Sequence, residues 1–182
     1  HKQAGDDEAA ESAIEEALQL QAGDKLEISN TMKLNLATAC YQNGREGDGN
    51  SIVSELIKNN HEDKALMQQA ERTFEALGRK DFGKNLIENS AGEIIKLNNL
   101  AVRKAQSGDL EGAITMLRDA ATKLPDNLQI VLNAAHALLV FTDKNGWDPD
   151  YMAEAKRYLE KGKARDPAHA KLGKLNAMYQ DV

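Results

Sequence analysis

From Ile94 to Pro125 the chain reads IIKLNNLAVRKAQSGDLEGAITMLRDAATKLP. In its first half Ile95, Leu97, Leu100, Ala101, Lys104 and Ala105 follow the i, i+3, i+4, i+7 spacing of a helix with one apolar stripe. Leu110, Ala113, Ile114, Leu117, Ala120 and Ala121 repeat that spacing in the second half. Ser107-Gly108-Asp109 separates the two runs. Gly108 accepts the left-handed geometry that ends a helix, and Asp109 is placed to cap the next one. Leu124-Pro125-Asp126 stops the second run, because proline cannot continue a helix interior. The stretch therefore predicts two helices joined by a tight turn.

Gly108 is one step of a ladder formed by Gly5, Gly44, Gly78, Gly108 and Gly146, with intervals of 39, 34, 30 and 38 residues. After the first four glycines a small residue follows five places on (Ala10, Gly49, Gly83, Ala113) and an aliphatic one four places later (Ile14, Val53, Ile87, Leu117). After Gly146 the pair is delayed to Ala155 and Leu159. A period near 34 residues is the mark of stacked helical hairpins. The expected fold is an all-α, right-handed solenoid.

The residues Leu97, Leu100 and Ala101, Gly108 at the turn, Ala113, Leu117 and Ala120, and the closing Pro125 resemble a tetratricopeptide repeat. The motif's large aromatics are replaced by Leu97, Lys104 and Leu117. The small Ala101 and Ala113 suit a close crossing of the two helices. Registered on this unit, the chain divides into repeats 30–63, 64–93, 94–127 and 128–169, a partial repeat over 1–29 and a capping helix over 170–182, as one repeat domain. Because the chain starts inside a repeat and lacks an initiating Met, it is expected to be part of a longer one. Glu93, Leu97-Asn98-Asn99, Leu132-Asn133-Ala134-Ala135 and Tyr158-Leu159 further resemble the tetratricopeptide portion of certain bacterial response regulators. That resemblance implies signal transduction in the cytoplasm.

Two irregularities stand out against the period. The 30-residue interval leaves no room for a loop, and Leu86, Ile87, Ser90, Ile94, Leu97 and Ala101 continue one stripe, so one long helix is expected from Phe82 to Gln106; the alternative is a short break at Ser90-Ala91-Gly92. Glycine weakens such a helix without breaking it. The last repeat carries eight extra residues around Thr142 to Asp150, including the only tryptophan, Trp147. Trp147 is expected to fold over its helix pair, the alternative being an anchor for a partner, with Asp148 capping the next helix and Pro149 in its first turn.

Composition bounds the function. The chain is 41% hydrophobic and 29% charged, which is globular, and the 4% aromatic content favours close-packed helices over sheets. Net charge is −6 with no basic cluster, so nucleic acid is not expected as a partner. No apolar run is long enough for membrane insertion. Cys40, the lone cysteine, sits in an apolar helical stretch and reads as buried filler. The four histidines are scattered, with no paired metal spacing and no phosphate-binding glycine loop. Asp143, Asn145 and Glu154 fall at EF-hand spacings, but Trp147 occupies a ligand place and Gly146 comes two residues early. No catalysis, cofactor or metal is expected.

Registration brings out one polar pattern. The sixth residue of each repeat is an amide: Asn35, Gln69, Asn99 and Asn133. On the concave face such a column would offer donors and acceptors to an extended peptide; the alternative is hydrogen bonding between helices or an exposed polar stripe. Arg72 and His136, three residues further on, are expected to line the same groove. A grip on a terminal carboxylate is not expected, because Gln68, Asn98 and Leu132 stand where lysines would be needed. The expected role is binding a protein or peptide without catalysis. The alternative is self-association, for example as a homodimer.

Overall fold

Four of the five ladder glycines, Gly44, Gly78, Gly108 and Gly146, have positive φ, between 71° and 99°. The first three close their helices in one way. Each glycine N–H reaches back three residues, and the next N–H reaches back five: Arg45 to the Cys40 carbonyl (2.8 Å), Arg79 to Phe74 (2.8 Å) and Asp109 to Lys104 (2.9 Å). This double bond pattern satisfies carbonyls that a helix end leaves unpaired. Gly146 ends its helix differently, with extended ψ of 166° and a single bond to the Thr142 carbonyl. Gly5, expected at a turn, lies inside a helix instead. Its neighbours on both sides continue the helix, and glycine breaks one only where it takes a left-handed conformation.

The computed structural model describes residues 2–22 and 28–182, with side chains for 8–20 and 28–182. Among these residues the fold is all-helical: α1 (Lys2–Ala22), α2 (Asn30–Gln42), α3 (Glu46–Asn59), α4 (Lys64–Ala76), α5 (Lys80–Gln106), α6 (Leu110–Lys123), α7 (Leu128–Asn145), α8 (Pro149–Arg165) and α9 (Ala170–Asp181). Helices α2, α4 and α7 begin on the residues that open their repeats in the sequence registration. Each is capped by the residue before it: Ser29 for α2, Asp63 for α4 and Asn127 for α7. Asp109 caps α6, and Asp148 caps α8 by accepting from the Asp150 and Tyr151 amides at 2.9 Å, with Pro149 in the first turn as expected.

The long helix expected through Gly92 is present as α5, 27 residues without a break. The chain divides into two compact units, His1–Gly92 and Glu93–Val182, and α5 contributes to both.

In the N-terminal unit α2 packs against α1, α3 and α4. The core holds Ile14, Leu34, Cys40, Ile57 and Phe74, all at most 5% exposed. Phe74 sits between the rings of Tyr41 (centroids 5.3 Å apart) and Phe82 (5.9 Å). Arg79 lies over both Tyr41 and Phe82 and pairs with Glu46 of α3. The buried Ser90 hydroxyl meets Ser54 of α3 at 3.0 Å, tying the first part of α5 down.

The C-terminal unit is built around α7, which packs against α6, α8 and α9. Nine of its side chains are buried, so it is apolar nearly all round, as an enclosed helix must be. Arg118 of α6 grips Glu154 of α8 with two hydrogen bonds, at 2.8 and 2.6 Å, and its guanidinium lies over Tyr151. Trp147 is 64% exposed and does not fold over the helices. The extra residues lengthen α7 to Asn145, and Gly146 then turns the chain outward, carrying Trp147 away from the core.

Candidate binding surface on α5, α7 and α9

Asn98 and Asn99 are adjacent in α5 but about 100° apart around its axis, and this decides their roles. Asn98 shares a face with Ile94 and Ala101, four residues back and three on, and all three are buried. Its amide nitrogen donates to Gln129 of α7. Its oxygen accepts from the Asn133 amide of α7 at 2.9 Å. The Asn133 oxygen in turn accepts from the Lys171 ammonium of α9. One polar chain thus joins α5, α7 and α9. Partly buried amides are costly unless paired, so each link supports the next.

Asn133 thus hydrogen-bonds between helices, and its partner is Asn98 rather than the registered Asn99. Asn99 is exposed, flanked by Ile95 and Val102, themselves 51% and 50% exposed. Of the two stripes read along this helix, the one through Ile87, Ser90, Ile94 and Ala101 is buried, whereas Ile95 and Leu100 are exposed. Of the missed members of the network, Asn98, Gln129 and Lys171, the first carries a sequence signal. Asn98 stands at i+4 from Ile94 and i−3 from Ala101, on the face that packs.

His136 is solvent-facing on α7. Desolvation by its surroundings, helped by the Lys171 charge, pulls its imidazole below the usual histidine range. A neutral ring offers one donor and one acceptor.

In the N-terminal unit Asn35 is exposed on α2 and Gln69 half-buried on α4. Arg72 lines a cleft of about 420 Å³ between α4 and the start of α5, together with Gln68, Glu71, Glu75, Lys80 and Lys84. Glu75 is paired with Lys80 at 2.7 Å, which holds its carboxyl below the ordinary range. The six registered residues thus lie three in each unit: Asn35, Gln69 and Arg72, then Asn99, Asn133 and His136.

Cys40 is fully buried, and burial, with Asp48 nearby, pushes its thiol up and away from reactivity. Among the described residues no group of three or more His, Cys, Asp or Glu is arranged to hold a metal, and no helix is long and apolar enough to cross a membrane. No protein-family model, curated protein or solved structure matches the chain.

Proposed function

We propose that the chain is a right-handed solenoid of tetratricopeptide-like hairpins that binds a protein or peptide. Two features support the repeat reading. The turns at Gly44, Gly78 and Gly108 share one hydrogen-bond pattern, and each unit packs one helix against the second helix along, α2 on α4 and α7 on α9. Stacked hairpins bury their faces in this way.

The observation that carries the binding reading is the exposed face of α5, where Ile95, Asn99 and Val102 stand uncovered beside the α5–α7–α9 network. A helix that leaves two large aliphatics exposed on one strip, two turns apart, offers apolar area to a partner. Capture experiments with the wild-type chain and an Asn99→Ala/Val102→Ala variant test it. Loss of at least one captured protein is expected. Undiminished capture of every protein would remove the reading.

A second reading, self-association, draws on the charge distribution. Residues 1–92 hold 17 acidic and 10 basic side chains, whereas residues 93–182 hold 12 and 13. Opposite imbalances in one chain favour head-to-tail contact between copies. Analytical ultracentrifugation at low and high salt separates the readings, since a strict monomer throughout rules self-association out.

A further inference from the structure

We infer that the Ile95–Asn99–Val102 face of α5 docks an amphipathic helix of a partner protein, one with carboxylates along the border of its apolar stripe. This rests on the binding reading above and specifies the partner's chemistry.

The geometry begins with spacing. Ile95, Asn99 and Val102 stand at i, i+4 and i+7 and form one strip about 10 Å long, two helical turns. The strip adjoins the buried face, since Ile95 stands three residues before Asn98 and Val102 four after it, yet both aliphatics remain half exposed. A two-turn apolar strip matches the i, i+3, i+4, i+7 anchors that a helix lays into a partner.

Charge then selects among helices. Lys96 and Arg103 border the strip, seven residues apart on one flank, and both are exposed. Neither makes an ion pair among the described residues, whereas the adjacent Lys104 is engaged by Asp109 at 2.6 Å. Glu93, the one carboxylate of α5 within the C-terminal unit, stands three residues before Lys96 and further from the strip than either cation. In a chain of net charge −6, a strip whose open flank carries Lys96 and Arg103 is complementary to an apolar strip bordered by anions.

The amide network argues for the same mode. An extended peptide read through its main chain needs a row of free amides. Both ends of the Asn133 amide are already engaged, by Asn98 and Lys171, which leaves Asn99. Recognition then falls to side chains, aliphatic at the two ends of the strip and charged along one flank.

The test uses two synthetic peptides of about 18 residues, long enough for an amphipathic helix once docked. Both carry Leu at helical spacing, one with Glu and the other with Lys at the bordering positions. Binding to the whole chain is followed by fluorescence anisotropy. The Glu peptide is expected to bind at least about tenfold more tightly than the Lys peptide, and raised salt to narrow the gap. Val102→Glu is expected to abolish binding, and Arg103→Gln to weaken the Glu peptide alone. Thermal melts check that each variant folds. Equal binding of the two peptides, or indifference to both substitutions, overturns the inference. If neither peptide binds but Val102→Glu still abolishes capture of a protein, the binding reading stands and the acidic-helix inference falls. If Val102→Glu instead dissolves a self-associated species seen by ultracentrifugation, the occupant is a second copy and the inference is overturned.

Discussion

Phe74 presses on α5 at Gly83 so closely that a β-carbon built there would fall 2.1 Å from its Cγ. Gly83 is the small residue that follows a turn glycine by five places. Gly49, five places after Gly44, would meet the Tyr41 ring at 2.9 Å. At both positions an aromatic of one helix rides over the backbone of the next.

Replacing Gly83 by Ala must move Phe74, whose own ring is held between Tyr41 and Phe82. Gly83→Ala is expected to destabilise the protein by about 1–3 kcal/mol despite the better helix propensity of alanine. Gly92 also lies inside α5, but nothing stands within 4 Å of the added carbon. Gly92→Ala is expected to stabilise by about 0.5–1 kcal/mol. Chemical denaturation of the two variants should move in opposite directions.

Glu154 is the buried end of a charged pair, 13% exposed against 39% for Arg118. Burial alone would raise its carboxyl, but the hydrogen bonds and charge of Arg118, helped by the Tyr158 hydroxyl, outweigh it and hold the group below the ordinary glutamate range. A carboxyl depressed in the folded state adds stability that is complete above its unfolded value and is lost as pH falls through the folded one. Acid unfolding should therefore begin below about pH 4.5, and Glu154→Gln should flatten this part of the stability profile. Its cost at neutral pH is expected to be about 1.5–3 kcal/mol, the range for hydrogen bonds to a charged group.

Asn98→Ala removes the centre of the chain that links α5 to α7, leaving Gln129 and Asn133 short of partners. A loss of about 1–2 kcal/mol is expected. Asn99→Ala, one residue on, is expected to change stability by less than about 0.5 kcal/mol. Urea melts of the pair check the division between a packing amide and a surface amide.

His136 should titrate below the usual histidine range, since desolvation and then Lys171 both favour its neutral form. Lys171→Met is expected to raise its midpoint only in part, because desolvation remains. The imidazole signals followed by NMR against pH report both values.

Trp147 is the only tryptophan, so it reports on itself. At 64% exposure its emission should be solvent-like in the folded protein and open to quenching by acrylamide. Trp147→Ala is expected to shift the melting midpoint negligibly. A blue-shifted, protected emission would contradict the exposed placement.

The all-helical fold was legible in the sequence because its signals are local. A stripe recurring at 3.6 residues, a glycine at each turn, and an Asp, Asn or Ser ahead of a helix act within a few residues of one another. That is why Asn30, Lys64 and Leu128, the openings of the registered repeats, are also the first residues of α2, α4 and α7. The missing loop at Gly92 was legible for the same reason, since a 30-residue interval has no room for it. What the sequence alone could not decide was direction. Ile95 and Ile94, Asn99 and Asn98, are equivalent in composition, and a rotation of α5 by one residue exchanges core for surface. Only packing against α7, where Asn98 finds both Gln129 and Asn133, selects the rotation. Trp147 shows the same limit. Its hydrophobicity argues for burial, but the turn at Gly146 aims it into solvent. Periodicity placed the helices; long-range contacts chose which face of each one a partner meets.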